Sequence, residues 1–322
     1  MRMKTGLMTL GEALIDFIPM DAENKTYIKS PGGAPANVAV GAARLGMTSA
    51  FIGKLGKDVL GTFLKETLQE YGVSVSSLIL TESYRTGLVF VALEEDGERS
   101  FSFYIKDSAD FFLEEAEIKE DLFMDHKIFH FGTISLLREP VRTATEKALF
   151  YAKKHGMIIS FDPNVRLTLW KDEELLRHTV LAILPKVDVL KLSEEELLFL
   201  SGDTKTEVIE QWIKEYNLSL VCLTKGAQGS IVFTKGGFVE VEALRVKAID
   251  TTGAGDAFVS ALLYCLNERT EELSFLTLEE AAEMARFASV SGGLAASQKG
   301  AMTALPVLPD VQKIIGENRS IE

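Results

Sequence analysis

The chain has 322 residues, of which 47% are hydrophobic and 25% charged, and it carries a formal net charge of -13 at neutral pH. That length suits one large α/β domain or two small ones around a substantial core, and the composition is that of an ordinary soluble globular protein. The negative balance argues against nucleic acid as a partner. It also makes any anionic ligand depend on a local positive pocket or on bound magnesium.

Cys222 and Cys265 lie inside apolar runs and offer no disulfide framework, which fits reduced core residues of a cytoplasmic protein. No stretch reads as a signal or a membrane span, and the four histidines and two cysteines show no metal-ligand spacing. No internal repeat or linker interrupts residues 1–322, so a single domain is expected.

In chain order, Leu7 to Leu10 and Ala13 to Ile18 read as strand, followed by a polar segment to Lys29. Asp16 is a charge within an apolar strand: an edge carboxylate facing water, or an acceptor for the hydroxyls of a polyol. Pro31-Gly32-Gly33-Ala34-Pro35-Ala36-Asn37 then opens a helix closed by Gly46. The paired glycines permit close backbone approach, and Asn37 offers donors and an acceptor to a neutral ligand; an ordinary turn and helix start explain the same pattern.

Ala50 to Gly56 is a strand, and Asp58 to Tyr71 a helix ended by Gly72. The period then changes. Thr86 to Glu94 and Arg99 to Ile105 read as a hairpin across Glu95-Asp96-Gly97-Glu98, with Phe101, Phe103 and Ile105 on one face and Ser100, Ser102 and Tyr104 on the other. Such an insert suggests a small sheet over the mouth of the main one, with an aromatic face that serves as lid, dimer surface or plain core.

The β/α alternation resumes with Ile128 to Phe131, Glu139 to Gly156 and Met157 to Phe161. Asp162 to Arg166 follows a strand's C-terminal end, where parallel sheets bind ligands. Val187 to Leu192 precedes Ser193-Glu194-Glu195-Glu196, readable as an acidic first turn or a capping box. Leu218 to Thr224, Ser230 to Thr234 and Phe238 to Leu244 are further strands, and Leu278 to Ala296 is a helix.

The stretch Asp250-Thr251-Thr252-Gly253-Ala254-Gly255-Asp256 opens a helix whose apolar stripe carries Ala257, Phe258, Ala261, Leu262, Cys265 and Leu266. Two glycines before a helix start make an anion site, because the first N–H groups lack partners and the helix dipole lies behind them. Asp256 is either a cap or a group that takes a proton from a hydroxyl attacking a phosphoryl group there. Phe258 breaks a dinucleotide fingerprint, and no Walker A sequence occurs.

Taken together, Gly32 to Ala39, Asp250 to Asp256, Gly11 to Phe17, Phe129 to Gly132 and Asp162 to Leu167 resemble the ribokinase-like carbohydrate kinases, most of all the fructokinases. The resemblance implies a doubly wound, mainly parallel sheet flanked by helices, with a small β-sheet lid formed by segments of about 12–33 and 86–110. It implies transfer of phosphate from ATP to C6 of fructose, with magnesium and potassium as accompanying ions. Asp256 then matches the base, and Gly253, Ala254 and Gly255 the anion hole. Asp16, Gly32, Gly33 and Asn37 match the sugar positions. Thr224, Gly226, Gly229 and Ser289 match the nucleotide positions, and Asp250, Thr252, Ala295, Gly300 and Ala304 a monovalent-cation site. A homodimer through the lid is a further expectation.

Two departures stand out. The family's Asn-x-x-Glu motif, which arranges magnesium and phosphates, reads Ser193-Glu194-Glu195-Glu196 here, so a shorter hydroxyl replaces the amide while Glu196 keeps its place. Where fructokinases usually carry Arg after the lid aromatics, Ile105 and Lys106 stand. Two alternatives remain: a kinase for 2-keto-3-deoxygluconate, whose carboxylate Lys106 or Arg166 would meet, and a non-catalytic sugar sensor.

Overall fold

The computed structural model describes residues 4–93 and 99–319. Among these the strands are β1 (Leu7–Leu10), β2 (Leu14–Pro19), β3 (Tyr27–Gly32), β4 (Ser49–Gly56), β5 (Val73–Ser74), β6 (Leu78–Thr81), β7 (Leu88–Leu93), β8 (Arg99–Tyr104), β9 (Ile128–Phe131), β10 (Ile158–Phe161), β11 (Val189–Ser193), β12 (Leu220–Thr224), β13 (Ser230–Thr234) and β14 (Gly237–Val241). The α-helices are α1 (Ala34–Arg44), α2 (Val59–Glu70), α3 (Val141–Lys154), α4 (Glu173–Ile183), α5 (Glu194–Ser201), α6 (Thr206–Tyr216), α7 (Ala254–Glu268), α8 (Leu278–Ala296) and α9 (Leu308–Arg319).

The large sheet runs β14-β13-β12-β11-β10-β9-β1-β4-β5, with β6 also on β4. It is parallel from β12 to β5, and β13 and β14 add antiparallel strands at one edge. Strands such as β1 and β4 are buried along their whole length, as expected when helices cover both faces. Residues of α3, α4, α5 and α6 pack with Met8, Phe129 and Leu190 on one side. Residues of α1, α7, α8 and α9 pack with Leu7, Ile128 and Val189 on the other, completing the doubly wound arrangement.

A second sheet of order β3-β2-β7-β8 stands apart, joined to the large one through the residues flanking β2, β3, β7 and β8. Asp16 therefore lies on a central strand of this sheet and not on an edge. The segment before Lys29, read from sequence as merely polar, is the edge strand β3, registered with β2 from Tyr27↔Pro19 to Gly32↔Leu14. An edge position tolerates its Pro31 and its exposed Lys29.

Register places Asp16, Ser30, Val89 and Phe103 on one face of the small sheet. On the opposite face Phe90 contacts three rings, Phe17 (centroids 4.9 Å apart), Tyr27 (5.2 Å) and Tyr104 (5.6 Å). The outer aromatic set is thus a different one from the Phe101–Phe103 stripe read in the sequence. The tip Glu95-Asp96-Gly97-Glu98, the end of the first strand at Glu94 and the side chain of Phe101 lie outside the described residues.

Asp58 ties this small sheet to the body. As N-cap of α2 it accepts from the amides of Leu60 (3.1 Å) and Gly61 (2.8 Å), and from the amide (3.0 Å) and hydroxyl (2.9 Å) of Thr86 just before β7. Burial alone would raise its pKa, but these bonds hold it below the ordinary carboxylate value. Asp58→Ala should cost about 1–3 kcal/mol in denaturant unfolding at neutral pH. The difference should narrow in acid, because a carboxylate with a depressed pKa gives up its stabilisation as pH falls through that value.

Candidate active site

The start of α7 has no side-chain cap. Gly253 occupies the N-cap position with φ 79°, and a Cβ there would lie 3.1 Å from Ala301 Cα. The Ala254 amide donates to Thr251 (3.2 Å) and the Ala257 amide to Gly253 (2.8 Å). Between them, the amides of Gly255 and Asp256 have no intrahelical acceptor, by the geometry of any helix start. Asp256 stands one turn in, beyond the cap position, and its Oδ2 accepts from Asn37 Nδ2 at 2.7 Å. Burial pushes its carboxyl up to about 6; the Asn37 amide opposes that rise, Asp162 adds to it, and Lys191 and Arg166 oppose it.

Asn37 comes from the other end of the chain. Gly33, with φ 104°, turns β3 into α1 so closely that a Cβ would lie 2.5 Å from Glu12 O. A Cβ on Gly32 would collide with Asp16 Oδ2. Asn37 Oδ1 is buried without a protein partner among the described residues, an acceptor open to a ligand hydroxyl. Asp16 is pushed up to about 7 by burial, with Arg166 lowering it and Asp256 and Asp250 raising it. So Asp16, Gly32, Gly33 and Asn37 are brought together beside Asp256.

A cavity of about 10 Å³, room for roughly one water, touches Asp256, Glu12, Ala34, His130, Asp162 and Asn164. A larger one of about 330 Å³ is lined by Asn164, Arg166, Lys191, Ser193, Glu195, Glu196 and Phe199. Asn164 borders both, so the two are neighbours along the C-terminal ends of the strands. Arg166 is exposed at the rim of the larger one, yet its charge acts on Glu12, Asp16 and Asp256.

Ser193 and Glu196 form the capping box that the sequence allowed: the Glu196 amide donates to Ser193 Oγ (3.2 Å) and the Ser193 amide to Glu196 Oε2 (2.8 Å). The Val165 amide donates to Glu196 Oε1 at 2.7 Å, which pins the loop carrying Asn164 and Arg166. Thr224 is registered opposite Ser193, so Gly226 and Gly229 follow at the same edge of the sheet. Ser289 is half-buried on α8, a helix packed on α7, β13 and β14.

The residues expected around a monovalent cation also converge. Asp250 accepts from the amides of Thr252 (3.0 Å) and Gly300 (3.1 Å), and its own amide donates to Ala296 O (3.2 Å) next to Ala295. Ala304 is buried in the short turn that packs on α8.

Four residues here escaped the sequence reading as individual sites: Glu12, Asp162, Asn164 and Lys191. Lys191 Nζ pairs with Asp162 Oδ2 at 3.0 Å in the interior. The signal was present for Glu12 and Lys191, since each is a lone charge inside an apolar run, the same cue that drew attention to Asp16.

The chain resembles known carbohydrate kinases along most of its length. The description "pfkB family carbohydrate kinase" matches residues 4–308. The chain is 41% identical to the probable fructokinase-4 of Arabidopsis thaliana over 98% of each chain. It superposes on the structure of a fructokinase with bound ATP from Xylella fastidiosa with a TM-score of 0.91 at 34% identity, covering 98% of this chain and 100% of that one. A fructokinase double mutant from Vibrio cholerae O395 in a fructose-, ADP- and potassium-bound form gives 0.88 at 40% identity, covering 97% and 99%.

Glu12 supplies a test of the buried charge. Burial pushes it up to about 8; its own amide, the Ala34 amide (3.2 Å) and Arg166 lower it, while Asp110 raises it. Between the ordinary value of 4.5 and that value the folded chain keeps a proton that the unfolded chain releases, so stability falls as pH rises across this window. Glu12→Gln should flatten the fall by roughly 2–5 kcal/mol between pH 5 and 8, read from urea unfolding at several pH values. Asp16 and Asp256 leave a residual slope of the same sign.

Proposed function

The chain belongs to the pfkB family of carbohydrate kinases, and on that footing we propose that it transfers the γ-phosphate of ATP to the 6-hydroxyl of D-fructose. The observation that carries the reading is the 2.7 Å bond between Asp256 at the start of α7 and Asn37 behind the glycine turn. It supports the reading because it sets the carboxyl group of Asp256, at the start of α7, beside Asn37 and the glycine turn. The fructokinase names of the relatives support the choice of sugar.

In this reading Asp16 and Asn37 accept from the sugar hydroxyls, with the backbone at Gly32 and Gly33 closing around the ring. The 6-hydroxyl is directed at Asp256, which aligns it and takes its proton late, as the P–O bond forms in a loose transition state. The helix start at Gly253, Ala254 and Gly255 faces the developing negative charge. The nucleotide phosphates lie in the larger cavity past Ser193 and Glu196, and the base lies toward Thr224, Gly226, Gly229 and Ser289.

Magnesium bound with the nucleotide supplies charge neutralisation. Glu196 would hold it through water, because both of its oxygens already accept backbone amides. The junction of Asp250, Thr252, Ala295, Gly300 and Ala304 suits potassium, whose ligands are largely carbonyl oxygens. Segments of about 12–33 and 86–110 act as a lid that excludes water on closure. The outer cluster of Phe17, Tyr27, Phe90 and Tyr104 supports a homodimer through that lid. Unpaired Cys222 and Cys265 suit the reducing cytoplasm.

Arg166 at the cavity rim favours one second reading, a sugar acid such as 2-keto-3-deoxygluconate. Coupled detection of ADP with both compounds, and phosphorus NMR of the product, separates the two: fructose 6-phosphate is expected, and turnover of the acid alone overturns the proposal. Asp256→Asn should keep fructose binding and lower turnover by about 10²–10⁴-fold. In the unmodified enzyme kcat/KM for fructose should fall as pH drops below about 7, because Asp16 and then Asp256 take up protons near 7 and 6. A flat profile down to pH 5 contradicts the roles of both.

A further inference from the structure

Glu12 is a buried acid in the link between β1 of the large sheet and β2 of the small one. It is only 5% exposed, and no lysine or arginine forms an ion pair with it among the described residues. A carboxyl group stripped of water and left without a cation is costly to keep. Its one side-chain bond shows what it does there.

The helix α1 opens without a capping side chain on its own N-cap, which is Gly33, and its second residue, Pro35, has no N–H. The first amide, that of Ala34, donates instead to Glu12 Oε1 at 3.2 Å. A carboxyl group from another part of the chain thus supplies the cap. The turn also rests on the main chain of the same link, since a Cβ on Gly33 would lie 2.5 Å from Glu12 O and 2.9 Å from Ala13 Cα. One helical turn on, the Asn37 amide donates to Gly33 O (2.8 Å), and Asn37 Nδ2 to Asp256 Oδ2 (2.7 Å). Glu12, the Gly33–Ala34 turn, Asn37 and Asp256 are therefore successive links of one chain of contacts. Glu12 and Asp256 also touch the same one-water cavity.

We propose that Glu12 is a positioning residue for phosphoryl transfer, which caps α1 through the Ala34 amide and so sets Asn37 against Asp256. This rests on the kinase reading above. Glu12 meets neither sugar nor phosphate; it fixes the turn from which Asn37 reaches both the sugar hydroxyls and the carboxyl group that receives the proton. Burial keeps its own carboxyl up to about 8, so at neutral pH it is mostly uncharged. An uncharged acceptor for one amide is a part that a glutamine side chain can copy.

The test compares Glu12→Leu and Glu12→Gln for turnover, fructose KM, ADP binding in magnesium buffer, and the NMR signals of the Asn37 side-chain amide without substrates. For Glu12→Leu, kcat per folded enzyme should drop about 10–10²-fold, the scale set by a misplaced reacting group. The fructose KM should rise about three- to tenfold, as for one weakened hydrogen bond, while ADP affinity stays within about twofold. The Asn37 signals should shift in the same variant. Glu12→Gln should recover most of each loss. A carboxyl that merely supported the fold would lower the urea midpoint and leave kcat per folded enzyme, KM and the Asn37 signals unchanged; that result overturns the proposal. So does a Glu12→Gln variant as slow as Glu12→Leu, which would make acidity itself the requirement. Should Glu12→Leu fail to fold, Glu12→Asp, which keeps the acid but shortens its reach toward Ala34, decides by the same measurements. If the unmodified protein does not phosphorylate fructose but the Asn37 signals still depend on Glu12, the positioning stands and only the sugar assignment falls.

Discussion

The arrangement depends on one buried carboxylate held by an amide from the far end of the chain. Asp256 and Asn37 meet because α1 and α7 pack side by side, closely enough that a Cβ on Gly41 would strike Ser260. Each partner is fixed by a backbone turn that only glycine adopts readily, Gly33 before α1 and Gly253 before α7. Changing either turn moves one half of the pair. The residues around them, including Asp16 against Gly32 and Asp250 against Gly300, act as braces for these two turns.

The electrostatics of the pocket follow from its depth. Glu12, Asp16 and Asp256 are all pushed above the ordinary carboxylate range, chiefly by burial. Each is therefore poised to bond neutral hydroxyls or to exchange a proton near physiological pH. Lys191 in the interior and Arg166 at the rim of the larger cavity offset these acids.

Much of this was legible beforehand, and the reasons are physical. The glycine turns announced themselves because few residues accept a positive φ or a crowded backbone, and the 3.6-residue stripe after Asp256 fixed α7. The strand β3 was not legible: it is a polar edge strand whose structure comes from pairing with β2, and no local pattern records that. The helices α4, α6 and α9 also went unread. Lys191 carries the cue of a lone charge in an apolar run, but its partner Asp162, just past the neighbouring strand, meets it only after folding, so the pairing itself was not legible. Ser193 stood out as a departure from the family's asparagine, yet its hydroxyl caps α5 while the Glu196 carboxylate reaches across to Val165.

The central pairing of the small sheet joins β2 to β7 in parallel, from Ile15↔Leu88 to Phe17↔Phe90, with α1, β4 and α2 threaded between them. Closing so long a loop carries an entropic penalty that local contacts cannot offset early in folding. The neighbouring strand β3 is local to β2, but a lone two-stranded ribbon is marginal in water. The sheet over the pocket is therefore a late arrival during biosynthesis: ribosomes must deliver the chain well past Thr86 before the N-terminal ribbon finds its mate. Until then its aromatic residues remain uncovered, a window in which chaperones have reason to hold the nascent polypeptide.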